Sequence, residues 1–162
     1  MTQSFSDVPR IIVFPPIIPL VTIFSAVLLQ WLRPLALFAQ VALIYRASLG
    51  IIVLAAGIAL LVAGTYALSR NDTAVKPSLP TTKLVTAGVY AHTRNPFYVG
   101  GSLGLLGIAL TMGLDWLPIL YVGSFVLLHF GIVLPEEEYL DRKFGDAYRQ
   151  YKAAVPRYFA PF

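Results

Sequence analysis

The chain has 162 residues, of which 57% are hydrophobic and only 12% charged, with a mean hydropathy of +0.73. That charge content is about half the roughly 25% expected of a soluble domain, and a soluble fold of this length could not hide so much apolar surface, so a bilayer is expected to cover it. The lack of cysteine excludes disulfides, thiolate catalysis and cysteine metal sites, and two histidines alone argue against a structural metal.

A transmembrane helix needs about 20 mostly apolar residues. Ile11 to Leu32 is the first candidate, and Pro15, Pro16 and Pro19 predict a kinked or irregular first half. It has no short apolar core followed by a small-residue cleavage site, so it reads as a retained span rather than a signal peptide. Leu35 to Tyr45 is apolar but short, suited to the interface or to lengthening the next helix. Ser48 to Leu68 is the cleanest span, and Phe97 to Gly113 and Trp116 to Leu134 complete the set. His129 lies in the last of these, where charge is costly. A neutral ring bonded to a neighbouring helix is expected.

Gly50, Gly57 and Gly64 recur every seven residues along one face of the second span, and Gly100, Gly104 and Gly107 share a face of the third. Such spacing lets membrane helices approach closely. The alternative, a dinucleotide loop, needs G-x-G-x-x-G after a strand, and neither is present. The expected fold is therefore all-α: a single membrane domain, 1–162, of about four transmembrane helices with a C-terminal amphipathic helix on the cytoplasmic side.

Of the twelve Lys and Arg residues, four lie between the second and third spans and five after the fourth, with Arg10 ahead of the first. Four spans put these ten on one side and leave only Arg33 and Arg46 opposite. The positive-inside rule makes that side cytoplasmic, both termini included. The net charge of +4 follows from this topology and from contact with anionic lipid, and calls for no nucleic-acid partner. The short turn at Leu114-Asp115 makes a hairpin of the third and fourth spans, which brings residues 84–98 beside residues 135–157.

These two segments hold most of the polar chemistry. They read Gly88-Val89-Tyr90, then Arg94-Asn95-Pro96-Phe97-Tyr98, the hairpin, Glu136-Glu137 followed by Leu140, Phe144-Gly145, Tyr148 and Tyr151, and finally Val155-Pro156-Arg157. In that order they resemble the isoprenylcysteine carboxyl methyltransferase and phospholipid methyltransferase superfamily, integral membrane enzymes that use S-adenosylmethionine. The resemblance is strongest from about Thr73 onward. R-N-P replaces the R-H-P of the eukaryotic carboxyl methyltransferases, and Ala91 stands where a basic residue often follows the tyrosine. The eukaryotic enzymes also carry more spans. Many small bacterial relatives share R-N-P, which implies a multi-pass protein of a bacterial inner membrane with its cofactor site cytoplasmic.

The resemblance implies that Arg94 and Glu137 carry the chemistry by holding the cofactor. Arg94 would take its carboxylate and Glu137, with Glu136, its ammonium. Position alone would favour a snorkelling arginine, and acidic residues that complement a helix starting at Pro135. Gly88, Val89, Tyr90, His92, Asn95, Pro96 and Tyr98 complete the expected cofactor site. The aromatic residues are as well placed to be interfacial anchors. Asn95 also suits the cap of the third helix and Pro96 its first turn. Leu140, Phe144, Tyr148 and Tyr151 recur at helical spacing, more as packing than as chemistry, and Gly145 marks a break or cap. The implied reaction is methyl transfer to a lipophilic or small-molecule acceptor: a prenylated cysteine carboxylate, a lipid amine or a thiol. Two alternatives remain at this level. One is a sterol reductase binding NADPH through Lys83, Arg142 or Lys143, and the other is a non-catalytic lipid-binding subunit.

Overall fold

A computed structural model describes residue 8, residues 14–75 and residues 79–159. The described residues form helices α1 (Ile17–Leu32), α2 (Leu43–Ser69), α3 (Pro96–Met112), α4 (Trp116–Leu128), α5 (Leu134–Phe144) and α6 (Asp146–Ala154), with short 3-10 turns at Phe38–Gln40 and Gly88–Ala91. Two continuous helical stretches, Leu43–Ser69 and Trp116–Phe144, are long and apolar enough to cross a membrane, and α1 and α3 are shorter apolar helices. Together they make the helical membrane bundle that composition predicts.

The bundle is inside-out relative to a soluble protein. The buried residues of α2 are Gly50, Gly57 and Gly64, while Ile44, Ile52 and Val62 on the same helix are more than 60% exposed. Large apolar side chains facing outward and small residues facing inward is the distribution that lipid permits. The two glycine faces meet. A Cβ on Gly57 would lie 2.6 Å from the Gly100 carbonyl oxygen and 2.7 Å from the Gly104 nitrogen, and one on Gly107 would lie 2.6 Å from the Leu54 nitrogen. Gly50 faces Thr111 at one end and Gly64 faces Pro96 and Phe97 at the other, so α2 and α3 are antiparallel.

Helix α1 runs antiparallel to α4. The Thr22 and Ser124 hydroxyls share a hydrogen bond of 2.6 Å, and the Trp116 indole donates to the Arg33 carbonyl at the opposite end. Ala26 of α1 also packs with Leu105 and Ala109 of α3 and with Leu117 of α4. The α3–α4 turn contains Gly113 in the left-handed conformation, φ 69°, and the buried Asp115, whose carboxylate accepts the Phe38 backbone N–H at 2.8 Å. The start of α1, the end of α2, the start of α3 and all of α5 and α6 therefore lie at one end of the bundle.

Some expectations hold in part, and others are corrected. The first candidate span begins at Ile11, but residues 11–13 lie outside the described set. The irregular part ends at Pro16, because Pro19 falls in the first turn of α1, where no intrahelical N–H is needed. Leu35–Tyr45 divides: Phe38–Gln40 forms a 3-10 turn, and Leu43–Tyr45 lengthens α2. Pro135 does not open a separate helix. The chain passes from α4 through a π turn, His129–Val133, directly into α5, with the Leu134 N–H bonded to the His129 carbonyl. Proline conflicts with the carbonyl four residues before it, and the wider π turn relieves that conflict without ending the helix. The glutamates after Pro135 thus have no free helix end to complement. Gly145, φ 52°, separates α5 from α6, so the expected amphipathic helix is two.

Gly57→Ala should force a methyl group against α3 backbone and destabilise the bundle by about 1–3 kcal/mol. Gly101→Ala, whose Cβ meets nothing within 4 Å, should not. Thermal unfolding in a single detergent measures both.

Candidate functional site

The segment before α3 is built around Tyr90. Gly88 takes φ 65° and turns the chain into the 3-10 turn. Tyr90 then packs among Val85, Tyr148, Tyr151 and Val155, with Leu140 and Phe144 half-buried around them. The Tyr151 hydroxyl donates to the Tyr90 carbonyl at 2.7 Å. The helical spacing of Leu140, Phe144, Tyr148 and Tyr151 thus produces one packed face despite the break at Gly145. Burial raises the phenol pKa values of Tyr90 and Tyr151 above their ordinary range. At Tyr148, burial first and the Glu137 charge second push it up to about 12, against an opposing hydrogen bond from Arg94. The three phenols stay protonated at neutral pH.

The chain after α6 returns across the Arg94-Asn95-Pro96 turn. The Arg94 backbone N–H donates to the Pro156 carbonyl at 3.0 Å. The Thr93 hydroxyl and the Asn95 amide both donate to the Arg157 carbonyl at 3.1 Å. Asn95 occupies the cap position of α3, but its side chain makes no capping bond and Pro96 follows in the first turn. The expected cap is therefore corrected: the Asn95 amide is spent on the C-terminal segment.

Arg94 and Glu137 meet directly. Arg94 Nη1 lies 2.6 Å from Glu137 Oε1, with both side chains 7% exposed. Arg94 Nε donates to the Val155 carbonyl at 2.9 Å, and Nη1 reaches the Tyr148 hydroxyl at 3.3 Å. Arg157 binds the same carboxylate, Nε to Oε1 and Nη2 to Oε2, both at 2.9 Å. Glu137 holds the Arg157 guanidinium above its usual pKa. The adjacent Glu136 accepts the Tyr98 hydroxyl at 3.2 Å, its one hydrogen-bond partner among the described residues.

A cavity of about 370 Å³ opens onto this cluster. Arg94, Asn95, Tyr98, Glu136 and Glu137 contribute to its polar end. The rest is mainly apolar and aromatic, from Phe14, Leu68, Leu84, Phe97 and Leu140, with Tyr90 and Pro96 also in the wall. Seven of the expected site residues are thus brought together. Three are not. His92 is exposed and outside the wall, while Gly88, also exposed, turns the chain and Val89 packs behind the wall. His129 is also corrected. Its Nδ1 pairs at 2.8 Å with the Tyr158 hydroxyl, on the segment after α6 rather than on a neighbouring helix.

The residues that sequence reasoning undervalued are Arg157, Tyr148, Tyr151 and Lys83. Tyr148, Tyr151 and Lys83 line the cavity; the tyrosines read as packing from their helical spacing, and Lys83 entered only with the reductase alternative. Glu137→Ala should leave two guanidiniums without their shared counter-charge and cost about 3–5 kcal/mol of stability. Glu138→Ala, which removes an exposed i,i+4 pair with Arg142, should cost less than about 1 kcal/mol. Chemical denaturation of the two variants in one detergent compares them.

No solved structure matches the chain. The protein-S-isoprenylcysteine O-methyltransferase of Schizosaccharomyces pombe is 41% identical over 75 residues, which is 45% of this chain and 31% of that protein. The chain thus aligns with about a third of that relative's length. A family model described as phospholipid methyltransferase matches residues 45–147. That stretch takes in most of the chain, from α2 to the start of α6, and the chain belongs to the phospholipid methyltransferase family.

Proposed function

We propose that the protein transfers a methyl group from S-adenosylmethionine to a lipophilic or small membrane-accessible acceptor. The observation that carries this reading is the division of the cavity. One end holds Arg94, paired with Glu137, beside the Glu136 carboxylate, which has no cation partner among the described residues, and the remainder is mainly apolar and aromatic, with Thr73, Thr81 and Lys83 also in the wall. An amino-acid zwitterion attached to a nucleoside has the same division: a carboxylate and an ammonium at one end and a flat ring at the other.

In this reading Arg94, Asn95, Tyr98, Glu136 and Glu137 hold the amino-acid end, and Tyr90 and Phe97 supply aromatic surface. When bound, the cofactor supplies a methyl group on a sulfonium, open to in-line displacement by the acceptor. The task left to the chain is alignment and exclusion of water. The close α2–α3 contact and the C-terminal segment fix the walls, and Leu68, Leu84 and Leu140 keep water from much of the interior. Acceptor classes compatible with the family are a lipid amine, a prenylcysteine carboxylate and a thiol. The excess of Lys and Arg at this end of the bundle supports a cytoplasmic position, and in this reading a water-soluble cofactor enters from there and a lipophilic acceptor from the bilayer.

An NADPH-binding reductase is less well supported. Of the three bases it would use, Lys83 lines the cavity, but Arg142 pairs with Glu138 and Lys143 donates to the Tyr139 hydroxyl, both outside the wall.

Calorimetry on detergent-purified protein should show binding of S-adenosylhomocysteine and none of NADPH, with Arg94→Ala weakening the former at least about tenfold, as loss of a charge-assisted hydrogen bond predicts. Binding of NADPH alone would replace the methyltransferase reading with a reductase one.

A further inference from the structure

Arg157 closes the Val155-Pro156-Arg157 motif, beyond the stretch 45–147 that the family model covers, and lies outside the cavity wall. It nevertheless makes the more complete of the two ion pairs to Glu137. Its Nε and Nη2 address both carboxylate oxygens side-on at 2.9 Å, the fork geometry in which arginine binds a carboxylate most strongly. Arg94 reaches Oε1 alone, through Nη1. The position of Arg157 is itself fixed, because its carbonyl accepts bonds from Thr93 and Asn95.

The charges of this cluster decide what it attracts. Two guanidiniums and one carboxylate sum to +1. Glu137 already accepts three charge-assisted bonds and is almost fully buried, so a further cation would meet two positive neighbours and a carboxylate with little capacity left. An anion meets the opposite situation. Arg94, which does line the cavity, spends Nε on Val155 and Nη1 on Glu137 and Tyr148. Its Nη2 has no hydrogen-bond partner among the described residues. Glu136, bonded to the Tyr98 hydroxyl, is the cavity carboxylate that no described cation neutralises.

We infer that Arg157 is a positioning residue: by holding Glu137 in place it turns the Arg94–Glu137 pair into a net-positive receptor for the carboxylate of the cofactor's amino-acid group, and it leaves Glu136 to receive the ammonium. This rests on the proposed function and changes the part that Glu137 plays in it, from direct ligand to shared counter-ion.

The test compares two ligands that differ only at that end. S-adenosylhomocysteine carries the amino-acid group, and 5′-methylthioadenosine keeps the nucleoside thioether without it. Affinities for both are measured by calorimetry on full-length wild-type protein, Arg157→Gln, Arg157→Lys and Glu136→Gln, with thermal unfolding recorded for each. Arg157→Gln is expected to weaken S-adenosylhomocysteine roughly ten- to hundredfold, the equivalent of one charge-assisted hydrogen bond, and to leave methylthioadenosine unchanged. Arg157→Lys, which keeps the charge but not the fork, should recover part of the loss, and it carries the same comparison if the glutamine variant does not fold. Glu136→Gln should show the same selective loss. The inference is overturned if the Arg157 variants bind S-adenosylhomocysteine like wild type, if they lose both ligands in proportion, or if Glu136→Gln has no effect. Wild-type protein that binds neither ligand would instead overturn the cofactor reading beneath it.

Discussion

The contact between α2 and α3 is made by backbone, and the rest of the molecule is arranged around it. Lipid tails are as apolar as leucine side chains, so burying leucine gives membrane helices little reason to associate. Association then depends on how many atoms can be brought within van der Waals range, and a glycine face allows the most. Gly50, Gly57 and Gly107 sit where a methyl group would overlap backbone atoms of the opposite helix. This contact fixes the height of Pro96 against Gly64, and with it the level at which Arg94 leaves the bundle. The cavity is the space left between that level and α5.

A second constraint is electrostatic. A buried ion pair is costly to desolvate and repays that cost only when its remaining bonding positions are filled. Here several are filled by the segment after α6: the Val155 carbonyl accepts from the Arg94 guanidinium, and the Arg157 side chain completes Glu137. Residues far apart in sequence are thereby held at the rim of one cavity without a disulfide. The three raised tyrosine pKa values belong to the same packing: phenols buried this way remain neutral, with the Tyr148 hydroxyl accepting from Arg94 and the Tyr151 hydroxyl donating to the Tyr90 carbonyl.

Much of this was legible in the residues. The apolar windows located the helices, the seven-residue glycine spacing identified the faces that meet, and the motif order brought Arg94 and the glutamates into one site. What escaped depends on partners distant in sequence. Asn95 is a good cap by type, but a carbonyl sixty-two residues away competes for its amide. Arg157 has nothing around it that marks it as the partner of a buried glutamate. His92 sits inside the motif, yet the 3-10 turn directs it to solvent. Pro135 looked like a helix start because local rules say nothing of a π turn just upstream.

That π turn sets the rotational phase of α5. A ring closed over five residues instead of four inserts one extra residue into the helical repeat, and one residue corresponds to about 100° of rotation in a regular α-helix. The orientation of Glu136 and Glu137 is therefore set in the apolar part of the long helix, at His129–Val133, and not in α5 itself. A substitution within this turn that keeps its length leaves the phase of α5 unchanged, whereas an insertion or deletion there would present a different face of α5 to Arg94.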